Sequence, residues 1–308
     1  MSIQAERARY IPVEQGFNIE RPALAPQAFA AEMRRAFADD TPTGFVALDL
    51  SPTLGTVYAA TTPFMLARYA RVRRGERLAC AFAASGEIWA VLRGAGTLAR
   101  DGETLDWRAG DMLALPGGVT SIWHADDDAV LWLVTDEPAL AFQGVRAEVA
   151  ERAPVQATHY RAEDIVRELR VLYDRPMAPD TPGRALFMAS ERTERLGTCL
   201  PAMTLTLNAV RPGEAQRLHR HNAAALVLAL REARCASTIG GTTFPWTTHV
   251  TLLTPAGVPH DHRNPPTADG SAAAVRDDDI ALALIVQDGG LYYYGRTMGF
   301  SFADAGQR

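Results

Sequence analysis

The chain repeats itself. Shifted by about 139 residues, Gly94 falls on Ala233, Gly102 on Gly241, Trp107 on Trp246, Pro116 on Pro255 and Gly118 on Gly257. The segment GETLDW at 102–107 is echoed by GTTFPW at 241–246. An insertion rich in Pro, Ala, Gly and Asp follows in the second copy, at 265–279, and then LVTD at 133–136 matches IVQD at 285–288. A period this long means that one folding unit occurs twice, so two domains are expected. The 308 residues are enough to give each its own core.

Each copy reads as β structure. Short apolar or alternating runs such as MLAL at 112–115, VLWLV at 130–134, MTLTL at 203–207, VTLL at 250–253 and IALALIV at 280–286 are separated by Gly, Pro and Asp turns. That rhythm predicts a sandwich or barrel. Two helices frame the copies. One at 27–37 places Phe29, Met33 and Phe37 on one stripe. One at 162–173 aligns Ile165, Leu169 and Leu172, with acidic residues at its N-terminal end, and bridges the domains.

Composition closes off several functions. The net charge of −5 offers no basic surface, so neither a nucleic acid nor a membrane surface is expected as a partner. No apolar run approaches a membrane span, and the polar N-terminus has no secretory core, so a cytoplasmic protein is expected. All 31 basic residues are arginine, which excludes lysine Schiff-base chemistry. Three separated cysteines, Cys80, Cys199 and Cys235, suggest no disulfide framework.

Five of the seven histidines lie between His219 and His262. His219 and His221 are two residues apart, and on a strand that spacing turns both imidazoles to one face. His260, beside the PAG turn at 255–257, can close a three-nitrogen face on a metal. Three protein ligands leave coordination positions open for chemistry. Imidazole ligands suit Fe(II), and also Mn, Ni, Cu or Zn. His262 is a candidate proton shuttle. His249 reads as a turn residue, and the tryptophans Trp89, Trp107, Trp123 and Trp132 of the first copy as packing.

These motifs resemble the cupin superfamily. Its first motif is Gly, five residues, His-x-His, three or four residues, Glu, six residues, Gly. Gly213, His219 and His221 match, with Leu226 standing where the Glu is expected and Ala233 where the Gly is expected. In the second motif Pro255, Gly257, His260 and Asn264 match, and His249 replaces the leading Gly. The resemblance implies an all-β fold: two double-stranded β-helix (cupin, jelly-roll) barrels in tandem with short flanking helices. The implied layout is an N-terminal arm with a helix at 1–40, a first barrel at 41–145, a linker with a helix at 146–180 and a second barrel at 181–308.

A three-histidine site without the Glu is similar to the gentisate/salicylate dioxygenase branch of two-domain cupins. That likeness implies His219, His221 and His260 as Fe(II) ligands, and catalytic places near the metal for His262 and Asp288. It implies a metal-dependent, ring-cleaving oxidoreductase that takes O2 and a small hydroxylated aromatic or chelating acid, assembled as a homodimer or homotetramer. Two departures stand out. Val227 occupies the position after Leu226, where that branch carries an arginine for the substrate carboxylate, so gentisate is expected to be a poor substrate. The histidines also sit in the C-terminal rather than the N-terminal copy. In the first copy the His-x-His positions fall on Cys80 and Phe82 or on Ala81 and Ala83, depending on a one-residue gap, and Ser121 replaces the last histidine. Glu87 alone makes a poor site, so the first copy is expected to be metal-free. A ligand- or metal-binding sensor or storage module, and a metal-dependent isomerase or decarboxylase, remain the alternatives, because this fold hosts many chemistries.

Overall fold

The computed structural model describes residues 2–17, 24–147, 154–177, 180–267, 276–297 and 299–303. Each copy builds a six-stranded antiparallel sheet facing a smaller one. In the first copy the six-stranded sheet runs Thr158–Tyr160, Met112–Pro116, Gly86–Arg93, Ala129–Thr135, Leu66–Val72, Gly44–Ala47. Its companion has four strands, in the order Arg77–Cys80, Ser121–Ala125, Ala95–Arg100, Glu103–Arg108. In the second copy the six-stranded sheet runs Gln27–Ala28, Thr251–Thr254, Ala225–Arg231, Ala281–Gln287, Thr204–Val210, Arg184–Met188. A five-stranded sheet faces it, in the order Thr242–Pro245, Ala236–Ile239, His260–Arg263, His219–His221, Phe300–Phe302.

The two six-stranded sheets also pack on each other, back to back. Residues alternate along each strand. On Ala225–Arg231, Leu226 and Leu228 join the core shared with Ile88, Ala90, Trp132 and Val134 of the first copy. Ala225, Val227 and Ala229 enter the second barrel's own core with Trp246 and Ile285. Both faces of these strands are buried, which is why their sequences read as unbroken apolar runs. In the first barrel Trp89, Trp107 and Trp123 fill the interior, and Trp132 packs between the barrels, so these rings serve packing rather than a groove.

The helix expected at 27–37 is shorter. Gln27–Ala28 is a strand paired with Leu252 and Leu253, and the helix runs Ala30–Phe37. Edge pairing with the second barrel outcompetes helix propensity there, so the N-terminal arm reaches across the molecule. The bridging helix is Ala162–Asp174, burying Ile165, Leu169 and Tyr173. Its preceding strand, Thr158–Tyr160, extends the first barrel's sheet. His249 takes the left-handed φ of +68° that a glycine would suit, and its ring stacks on Phe37 at 5.0 Å. The Tyr69 hydroxyl of the first barrel donates to its carbonyl at 2.6 Å. This turn therefore pins the barrels together. The middle of the insertion at 265–279 lies outside the described residues. Among the described residues no helix is long and apolar enough to cross a membrane, and all three cysteines are buried and free.

Candidate metal centre

Three histidines converge inside the second barrel. His219–His221 is a strand of three residues, with both imidazoles inward and buried. His219 pairs directly with His260 on the neighbouring strand. The ring centroids of His219 and His260 are 4.3 Å apart, those of His221 and His260 4.7 Å, and those of His219 and His221 6.1 Å. One ring nitrogen from each lies within 4.8 Å of the others.

The backbone fixes which nitrogen faces inward. Nδ1 of His219 contacts the carbonyl of Arg217 at 2.8 Å, that of His221 the carbonyl of Ala223 at 2.6 Å, and that of His260 the carbonyl of Val258 at 2.9 Å. A carbonyl oxygen only accepts, so each Nδ1 carries the hydrogen and donates it. In a neutral imidazole that leaves the Nε2 lone pair free as a ligand. The rings are held neutral as well. Burial, opposed by the Ala223 carbonyl, pushes His221 down to about 4. Burial and then the neighbouring imidazoles push His260 well below the ordinary value, and burial lowers His219. Three buried, neutral, like-oriented acceptors with no proton between them fit a divalent metal ion, which supplies the missing positive charge.

His262 shares the inward face with His260 but is held differently. Its Nδ1 lies 2.7 Å from the Ser237 hydroxyl, and the Trp246 indole N–H donates to that same oxygen at 2.7 Å. Ser237 is buried, and its hydroxyl hydrogen is satisfied by donation to Nδ1 while Oγ accepts the indole N–H; that pairing leaves Nε2 of His262 as an N–H. His262 therefore has the opposite tautomer to the other three. Its ring centroid is 6.0 Å from that of His260, and burial lowers its pKa to about 3. Ser237 and Trp246 are site residues that sequence reasoning missed. The only cue was Trp246 recurring at the repeat distance from Trp107.

Asp288 is held from the backbone. Its Oδ1 accepts the Ala224 backbone N–H at 2.8 Å, and burial raises its pKa to about 7. Asp136 of the first copy accepts the N–H of Ser85 at 2.8 Å in the equivalent place. A contact kept in the copy that lacks the clustered histidines serves the fold. Asp288 thus clamps the backbone next to the Ala223 carbonyl that holds His221.

Strand pairing also moves one residue. Glu87 lies opposite Leu115 and Thr135, and Ala225 lies opposite Thr254 and Gln287 in the second copy. The residue in the Glu position is therefore Ala225, which faces inward, not Leu226, which faces the other barrel. The three-residue spacing after His221 applies. Neither Ala225 nor Val227 brings a charge. One cation beside the histidine strands is Arg217, stacked over Phe302 at 3.6 Å, and Phe302 pairs with His219. Arg211 and Arg231 are bound elsewhere, to carbonyls of Tyr173 and Ile280.

No protein-family model matches the chain. A curated relative, 5-aminosalicylate 1,2-dioxygenase of a Comamonas species, is 33% identical over 116 residues, covering 34% of this chain and only 30% of that protein. Similarity to solved structures is far more extensive. Salicylate 1,2-dioxygenase of Pseudoaminobacter salicylatoxidans superposes with a TM-score of 0.75 at 16% identity, over 99% of this chain and 96% of the other. The same enzyme with gentisate gives 0.72 at 15% identity, over 95% and 90%. A cupin 2 conserved barrel domain protein of Leptotrichia buccalis gives 0.53 at 12% identity, over 87% and 97%. At such identities the likeness speaks for the fold, and with the two repeated barrels above it leads to one assignment. The chain has the fold of a tandem pair of cupin barrels, in the arrangement seen in salicylate 1,2-dioxygenase.

Proposed function

We propose that the chain is a metal-dependent dioxygenase that cleaves a small hydroxylated aromatic acid in its second barrel. The observation that carries this is the shared tautomer of His219, His221 and His260, each Nδ1–H donated to a backbone carbonyl and each Nε2 left as a ligand. Fe(II) is the metal that the reading favours. When bound, such an ion brings O2 and a chelating substrate together at its open positions.

The chain's own residues do the rest. The three histidines hold their lone pairs ready without reorganisation, because their hydrogens are already committed to the backbone. His262 presents an Nε2–H fixed through Ser237 and Trp246, so it can donate a hydrogen bond to a substrate oxygen. Apolar Ala225, Val227 and Ile239 keep water from the barrel interior. Arg217, over Phe302, is the group offered to a substrate carboxylate at the rim. Asp288 holds the Ala224 amide and thereby the loop carrying Ala223. A homodimer or homotetramer in the cytoplasm belongs to the same reading.

The test is oxygen uptake by the Fe(II)-loaded protein over salicylate, 5-aminosalicylate, gentisate, catechols and diketones, with ring-cleaved product identified by mass. Turnover on a hydroxylated aromatic acid supports the reading. No uptake with any of them, on protein shown to carry metal, would overturn it in favour of a binding module. Gentisate turning over as well as the best substrate would refute the expectation that the absence of an arginine at Val227 makes it a poor one.

A further inference from the structure

Strand pairing superimposes the two barrels residue by residue, and it shows what the first has in place of a metal site. Cys80 pairs with Ser121 as His219 pairs with His260. The Gly118 N–H donates to the Phe82 carbonyl as the Gly257 N–H donates to that of His221. The His-x-His positions of the first barrel are therefore Cys80 and Phe82, and Ser121 stands for His260. Leu98 pairs with Trp123 where Ser237 pairs with His262. Every nitrogen of the second site is lost.

One position changes in the opposite sense. Ile239 lies opposite His260, and Arg100 lies in the same place opposite Ser121. The Arg100 side chain is 8% exposed and Glu87 is fully buried. The Arg100 guanidinium donates to the Ser121 hydroxyl and to the Pro116 carbonyl, and its Nη1 lies 3.5 Å from Glu87 Oε1. The other Glu87 oxygen accepts the Trp89 indole N–H at 2.8 Å. Ser121, Pro116 and Glu87 are the counterparts of His260, Pro255 and the carboxylate position at Ala225.

We infer that Arg100 is a resident cation: its guanidinium fills the metal position of the first barrel, with Glu87 as its counter-ion and Ser121 and Pro116 as its remaining partners. The two barrels are then alternative solutions to one problem. The second has imidazoles, no carboxylate and an apolar Ile239, which leaves the centre open for an ion. The first has the carboxylate, no imidazoles and a covalently attached positive charge that closes the centre. The inference rests, for the second barrel, on reading its three histidines as a metal site. For the first barrel it stands alone.

Each barrel supplies a test. In the second, Ile239→Arg places a guanidinium opposite His260. Elemental analysis after loading with Zn(II) or Fe(II) should find the parent with about one ion per chain, Ile239→Met unchanged and Ile239→Arg with essentially none. Circular dichroism should show both variants folded. Full metal in folded Ile239→Arg would overturn the inference, whereas an empty parent would instead overturn the metal reading. In the first barrel, thermal melts of Arg100→Met, Glu87→Gln and the double variant form a cycle. Burial raises the Glu87 carboxyl to about 7 against the pull of Arg100, so at pH 8 Arg100→Met leaves a buried carboxylate alone and should lower the melting temperature by about 5–10 °C. Adding Glu87→Gln should restore at least half of that loss. Arg100→Met melting like the parent, or a double variant no better than Arg100→Met, would show that the guanidinium is not the counterpart of Glu87.

Discussion

Acid is a sharp probe of the three-histidine face, because protons and a metal compete for the same Nε2 lone pairs. A histidine at the ordinary value of 6.5 loses about tenfold in available neutral form between pH 7.5 and 5.5, so three such ligands would weaken binding about 1000-fold. The structure argues for much less. Burial lowers all three, His221 to about 4 and His260 well below 6.5. A group with a depressed folded value stays neutral until pH falls through that value. At pH 5.5 His221 is still neutral in about 95% of molecules or more. The expected weakening over this interval is therefore below about tenfold, with release of the ion only as pH approaches 4. The measurement is a competition titration of Co(II) or Zn(II) against a chromophoric chelator at pH 7.5, 6.5 and 5.5. The chelator must be corrected for its own protonation and the fold followed by circular dichroism. A loss near 1000-fold in folded protein would show that the imidazoles titrate as solvated groups, and the preorganised site inferred from their backbone hydrogen bonds would be refuted.

Other outcomes follow from individual contacts. His260→Ala removes one of three ligands and should strip the metal while two independent barrel cores keep the chain folded, as elemental analysis and circular dichroism would show. His262→Ala should keep the metal and lose about 10–100-fold in turnover, since its Nδ1 is committed to Ser237 rather than to an ion; equal loss of metal in both variants would make His262 a ligand. Ser237→Ala frees the tautomer of His262 and should lower kcat with metal content unchanged, and restoration by Ser237→Thr would separate hydrogen bonding from packing. Asp288→Asn keeps an acceptor for the Ala224 N–H and removes a carboxylate whose folded value is raised to about 7. A raised acid weakens the fold as pH rises through that value. Denaturant unfolding should find the variant more stable than the parent by about 1–2 kcal/mol at pH 8, after allowance for partial exposure, and not at pH 4.

The histidine triad was legible because a metal face needs fixed spacing on adjacent strands, and His219, His221 and His260 carry that spacing in the sequence. The two barrels were legible from the repeat and its turn residues. What escaped was set by pairing between distant strands. The one-residue choice between Ala225 and Leu226 depends on which of two alternating faces points inward, and both residues are apolar because both faces of that strand are buried. The strand at Gln27–Ala28 escaped because its partner, Leu252–Leu253, is far away in sequence and its own residues fit a helix as well. Ser237 and Arg100 escaped because neither belongs to a motif. Each acquires its role from the residue across the sheet.

Comparing the copies separates two kinds of residue that one site alone confounds. Asp288 and Asp136 hold corresponding backbone amides, of Ala224 and Ser85, although only the second copy has the clustered histidines. Trp107 and Trp246 fill equivalent positions in both interiors. What both copies keep is required by the barrel. What only the second keeps is the set His219, His221, His260, His262 and Ser237, with an apolar residue at Ile239. That set contains every nitrogen facing the centre and the hydroxyl that orients one of them. On the readings above, changing seven inward positions, Arg100/Ile239 and Glu87/Ala225 among them, while leaving the clamps untouched gives one scaffold both a closed barrel with its own cation and an open one prepared for a metal, which is the sense in which the site is built upon the fold rather than implied by it.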